Sequence, residues 1–207
     1  MTGDNPHGET FTPTSGRVFG VIAVLLGVTA VGAGLFASDD VVWGMVAFGI
    51  FFTALAWAAM LRPGVAIRGD RLVLRNLVDT VSIPLAGIEE VAVRQVLAVR
   101  VGERRYTCAA IGRSRRQLRR ADRAPRPDGE VETSGREEAE RLAQQAYGEW
   151  VQERIRQLAE QAREEQGIAP YSAAQGALAA DVTRRWAYPE IAVLVISAIA
   201  TVVFILT

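Results

Sequence analysis

The stretch VFGVIAVLLGVTAVGAGLFA (Val18–Ala37), followed by SDD (Ser38–Asp40) and VVWGMVAFGIFFTALAWAAML (Val41–Leu61), decides the architecture. Each apolar run is about 20 residues long with no charge inside it, the length an α-helix needs to cross a hydrocarbon core at about 1.5 Å per residue. The short link between them carries Asp39 and Asp40. Carboxylates are costly at membrane depth, so the second helix must return antiparallel to the first. The expectation is a transmembrane hairpin over 17–61, with spans 18–37 and 41–61. Small residues four apart, at Gly16/Gly20, Ala23/Gly27, Ala30/Gly34 and Ala54/Ala58, permit close helix packing. A cleaved signal peptide fits less well: the run exceeds a normal h-region, only Arg17 flanks it, and no clean Ala-x-Ala site precedes Asp39.

The 207 residues are 50% hydrophobic yet 22% charged, so apolar and charged sequence must be segregated. Net charge is +0, but Arg62–Arg126 holds 15 Arg against 6 carboxylates, whereas Pro127–Tyr188 holds 7 against 12. All 23 basic residues are Arg, a bias that suits a GC-rich genome. The Arg distribution orients the hairpin. Arg17, Arg62 and the segment to Arg185 lie on one side of it and none lies in the Ser38–Asp40 loop, which places the amino terminus and central region in the cytoplasm. Near the end, Arg184, Arg185, Trp186 and Tyr188 precede the run Ile191–Leu206, read as a third transmembrane helix within 186–207 that crosses outward. The expected location is the plasma membrane, multi-pass, with the carboxyl terminus outside.

Residues 1–16 are rich in Gly, Pro, Thr and Asn and read as a disordered tail. From Val65 to Ile111 the pattern is that of strands: Val65–Ile67, Arg71–Arg75, Val78–Ile83, Ile88–Gln95, Leu97–Val101 and Arg105–Ala109, with turns at Gly69-Asp70, Asn76, Pro84–Gly87 and Gly102-Glu103. Short strands with tight links predict an antiparallel barrel or sandwich. Apolar residues three and four apart predict an amphipathic helix over 136–166, capped by Ser134 with Glu137, stopped by Gly167, and packed through Leu142, Tyr147, Trp150, Ile155 and Leu158. Residues 167–185 read as a linker, with room for a short turn of helix. The fold class is thus an α+β membrane protein: a hairpin, a cytosolic β domain with a long helix over 62–166, and a last helix.

GVAIRGDRLVLRNL (Gly64–Leu77) followed by VSIPLAGIEEV (Val81–Val91) resembles the bacterial pleckstrin-homology (PH) domain family, which occurs in actinobacterial membrane proteins just after one or two transmembrane helices. The likeness covers about Arg62 to Leu118; Leu85 stands where members often carry Trp after the Pro. What the resemblance implies is a strongly bent barrel plugged at one end by a helix, anchored to a membrane and without enzymatic activity.

No catalytic, cofactor-binding or metal constellation is expected. One His and one Cys preclude a Cys/His metal site, and neither a Gly-x-Ser-x-Gly nor a phosphate-cradling Gly loop is present. Adjacent Glu89 and Glu90 should point to opposite faces of a strand, and Cys108, flanked by apolar residues, reads as a buried structural thiol. The function expected is a membrane-anchored interaction or scaffold module for a protein partner. The alternative is an anionic-lipid sensor working through Arg113, Arg115, Arg116, Arg119, Arg120, Arg123 and Arg126 in the basic stretch 113–126. That stretch lacks the interleaved aromatics of nucleic-acid binders.

Overall fold

The structure, a computed structural model, describes residues 8–11, 16–36, 41–94, 96–111 and 131–206. The chain forms two compact units: a helical one from Pro13–Pro63, Arg75–Thr80 and Arg184–Thr207, and a β unit from Met1–Thr12, Gly64–Leu74 and Val81–Thr183.

In the helical unit, α1 (Gly16–Phe36) and α2 (Trp43–Ala56, continued by a π-turn over Trp57–Leu61) are long and apolar enough to cross a membrane. Gly20 faces Met60 and Leu61, Gly27 faces Gly49 and Thr53, and Gly34 faces Val46, so the pair is antiparallel as expected. The seam is not the four-residue spacing of the sequence reading. Buried Gly20, Gly27 and Gly34 recur every seven residues, which keeps one line of the helix turned to its neighbour, while Gly16 meets open space. α5 (Tyr188–Leu206) packs on α2, with Gly44 against Phe204 at one end and Glu190 near Arg62 at the other, so it runs parallel to α1. Its apolar stretch, Tyr188–Phe204, is shorter than the spans Gly16–Phe36 and Trp43–Leu61. Hydroxyls inside these helices are satisfied locally: Thr29, Thr53, Ser197 and Thr201 each donate to the carbonyl four residues back. The expected loop 38–40 lies outside the described residues.

The strands are β1 (Thr10–Phe11), β2 (Gly64–Arg68), β3 (Arg71–Arg75), β4 (Asp79–Pro84), β5 (Glu90–Val93), β6 (Leu97–Val101), β7 (Arg104–Cys108) and β8 (Thr183–Trp186). They form two sheets, β1-β2-β3-β4-β8 and β5-β6-β7, instead of the closed barrel that the PH resemblance implies. Pro84 ends β4 without an N–H, and a 3-10 turn at Leu85–Gly87 then carries the chain from one sheet to the other. Hairpin turns fall where expected, with Gly69 and Gly102 at positive φ. Two expectations are corrected. Thr10–Phe11, within the supposed disordered tail, pair antiparallel with Val65–Ala66, because Phe11 has a core to enter and is 2% exposed. The linker 167–185 holds the short helix α4 (Ala173–Ala177) and a 3-10 turn, as the connector reading allowed, but also most of β8, a strand not expected there.

The long helix α3 runs from Val131 to Glu165, five residues earlier than expected and through Ser134, so Ser134 is not its cap. It stops as predicted. Gly167, at positive φ, donates to Glu164 O (3.1 Å) and Ile168 N to Arg163 O (2.9 Å), a Schellman closure. α3 packs on the Leu85–Gly87 turn and β5 through Val151, Ile155, Ala159 and Ala162, joining Leu72, Leu74, Ile83, Leu97 and Val99 in one core. Ile155 is fully buried, and Tyr147 and Leu158 lie against the core, but Leu142 (64% exposed) and Trp150 (54%) do not enter it. Trp150 lies about 100° around the helix from Val151, so the narrow buried stripe excludes it.

A Cβ on Gly49 would lie 2.8 Å from Val31 N and 2.9 Å from Gly27 O, both backbone atoms that cannot move aside. Gly49→Ala should therefore lower stability by about 1–3 kcal/mol, read as a drop in melting temperature of the full chain in detergent, while Gly16→Ala leaves it level or raised. In the β unit, Ile155→Ala should cost about 2–5 kcal/mol. Leu142→Ala should stay within about 0.5 kcal/mol; equal losses for these two would contradict the packing.

Candidate functional site

At one end of the helical unit α1 begins, the π-turn finishes and α5 begins, and there the charged side chains are held in place by one another. Arg62 donates through Nη1 to the carbonyls of Asn76 (2.9 Å) and Leu77, and its Nη2 lies 3.4 Å from Glu190 Oε1. Asn76 Nδ2 donates to Asp79 Oδ1 (3.0 Å), and Arg184 Nε donates to the other oxygen of this buried carboxylate. The Arg184 guanidinium also lies 4.3 Å over the Trp186 ring, a cation–π contact. Ala187 N donates to Val78 O (2.8 Å), fixing the exit of β8. Every residue of β8 is exposed.

A second feature, in the β unit, lies where β1 meets α3. Arg154 makes two hydrogen bonds to the Glu9 carboxylate, the Nε bond at 3.1 Å. This hydrogen bonding, and with it the Arg154 charge, holds the Glu9 carboxyl below its ordinary range against a smaller opposing effect of burial; in return Arg154 is pushed up. Phe11 meets Trp150 edge-on (5.7 Å between centroids), and Trp150 stacks on Tyr147 (5.9 Å). Together Glu9, Phe11, Tyr147, Trp150 and Arg154 border an open cleft with an aromatic floor and a charged rim. On the same helix Gln152 Oε1 accepts from Val93 N (2.9 Å), locking α3 to β5.

A third is a cleft between Ile88–Val91 and α3, closed at one side by Gln175. That amide is 1% exposed and fully used: it donates to Ala86 O (3.3 Å) and Ile88 O (3.0 Å) and accepts from Tyr171 N (2.6 Å), which holds Tyr171 at positive φ. Arg163 Nη1 also donates to Ile88 O (2.9 Å). Glu89 and Glu90 both reach Arg100, at 3.8 and 3.3 Å, instead of diverging, because Glu89 precedes β5 and is free of its pleat. These carboxylates are engaged in ion pairing. Among the described residues no group of three His, Cys, Asp or Glu side chains could hold a metal ion. Cys108 is buried, with Sγ 3.7 Å from Gly64 O.

Arg113, Arg115, Arg116, Arg119, Arg120, Arg123 and Arg126, the candidate lipid contacts, lie outside the described residues. The features above were missed in the sequence because their partners are far apart in the chain: Glu9 and Arg154 are 145 residues apart, Asp79 and Arg184 are 105 apart, and neither pair leaves a local motif. No family model matches this chain, and no curated protein or solved structure matches it either.

The Glu9 shift fixes a sign. A carboxyl depressed in the folded state adds stability that is complete above its ordinary value of 4.5 and is lost as pH falls through the lower folded value. Glu9→Gln should lower the melting temperature at neutral pH, and its difference from wild type should shrink as the solution is acidified below that value. A difference independent of pH would show that the pair does not act through its charge.

Proposed function

We propose that this chain is a membrane-anchored interaction module without enzymatic activity. In this reading α1, α2 and α5 cross the plasma membrane, the amino terminus and the central region from Arg62 to Arg185 face the cytoplasm, and the carboxyl terminus ends outside. The β unit acts as a PH-like domain that offers a surface to a protein partner.

The observation that carries the reading is the opposite placement of large apolar side chains in the two units. In the helical unit they point outward: Val18, Phe19, Leu25, Leu26, Trp43 and Phe48 are exposed while glycine lines the seam. Only 17% and 28% of the most apolar windows of the two long helices are buried, the reverse of a core helix in a water-soluble protein. The orientation is supported by Arg17, Arg62, Arg184 and Arg185 at one end of the helices, with Asp39 and Asp40 in the link at the other. In the β unit the large apolar side chains are buried, and among its described residues the exposed ones are Leu142, Trp150 and Tyr171. Leu142 and Trp150 share α3 with Tyr147, which makes this stretch the surface a partner would cover.

Two measurements test this. In intact cells, with Cys108 replaced, a Cys at Asp39 should react with an impermeant thiol reagent and a Cys at Glu103 only after lysis; the reverse pattern would overturn the orientation. A photo-crosslinking residue at Leu142 or Trp150, in native membranes, should give a discrete adduct that the same residue at Glu153 does not. Without such an adduct the partner reading falls.

A further inference from the structure

We propose that the Arg-bearing end of the helical unit binds the head group of an anionic phospholipid, with Arg184 and Arg185 as its ligands. The proposal rests on the membrane reading above and adds to it a chemistry of contact. The helical unit has Arg17, Arg62, Arg184 and Arg185 at this end, and among its described residues the carboxylates here are Asp79 and Glu190. Both carboxylates are already engaged, by Arg184 and Arg62. The surplus is therefore positive, and it lies where exposed β8 runs into apolar α5.

Arg184 is preorganised for an anion. Asp79 takes its Nε and the Trp186 ring supports its face, but its two Nη groups have no protein acceptor among the described residues, and the side chain is 53% exposed. A guanidinium fixed at Nε presents its remaining N–H groups as a fork, the geometry that phosphate accepts. Arg185 is exposed, with no ion-pair partner among the described residues. Trp186 and Tyr188, both exposed, are the amphipathic rings that settle at head-group depth. A free phosphate would use the two Arg alone; an attached acyl chain also meets the apolar side chains of α5 that begin at Ile191, so the occupant is a lipid.

The test uses the full chain. Protein reconstituted into vesicles of phosphatidylcholine mixed with phosphatidylglycerol is extracted gently, and its co-purifying lipid is quantified by mass spectrometry. Phosphatidylglycerol should be enriched over its share of the vesicle. Arg185→Gln should cut that enrichment about fivefold with unchanged melting, and Arg184→Lys, which keeps the charge and loses the fork, should cut it less. Absence of enrichment in wild type, or full enrichment in Arg185→Gln, would overturn the proposal. So would its loss when only the seven Arg of 113–126 are changed to Gln, since the site would then be elsewhere. Release of the wild-type chain from vesicles by alkaline washing is a different result, one that sinks the membrane reading itself.

Discussion

The approach of α1 to α2 across glycine is the contact on which the helical unit depends. Lipid tails are as apolar as Leu, so two helices in a bilayer gain nothing from burying Leu against each other; they gain from backbone proximity and dense packing. Gly27 and Gly49 face each other's carbonyls so closely that a Cβ on either would fall 3.1 or 2.9 Å from the opposing oxygen. The large residues are thereby sent outward, and in the proposed membrane setting lipid is what meets them. Glycine at the seam and Leu, Val and Phe outside are one arrangement.

The β unit follows the opposite rule with the same chain. Its strands alternate inward Val65 and Ile67, then Leu72 and Leu74, then Val81 and Ile83, and α3 adds Val151 and Ile155 to the core they form. Water drives that burial at about 25 cal/mol per Å² of apolar surface. The polar locks are few and specific: Gln152 on Val93, Arg163 and Gln175 on Ile88, and Arg154 on Glu9. Each satisfies a backbone group or charge that would otherwise be costly to leave unpaired beside the core.

Much of this was legible in the sequence because it is encoded by period. The two apolar runs, the strand alternation and the Gly69, Gly102 and Gly167 stops are local signals, and each marks an element or turn in the structure. The failures are of another kind. The apolar positions of α3 cover more of its circumference than one core can use, and the sequence has no local mark that assigns Val151 and Ala159 to the core and Leu142 and Trp150 to the surface. Phe11 lies in a polar segment, where a two-residue strand has no detectable period. The division into two sheets depends on a turn after Pro84 whose geometry a strand pattern does not contain.

The charged end of the helical unit combines both kinds of physics. Arg62 is only 12% exposed on its side chain, and a guanidinium so covered must find acceptors; it takes two carbonyls of the 76–77 turn and one oxygen of Glu190. Glu190, in the first turn of α5, is stabilised there by the helix dipole as well as by Arg62, although its buried Oε2 has no hydrogen-bond partner among the described residues. Asp79 is tied in the same way by Asn76 and Arg184. A charge at such a boundary is tolerable only when paired, and pairing consumes the carboxylates first because they are fewer. Among the described residues Arg185 is left without a carboxylate and Arg184 keeps N–H groups beyond its Nε bond, so these two must take further acceptors from whatever surrounds that end of the helices.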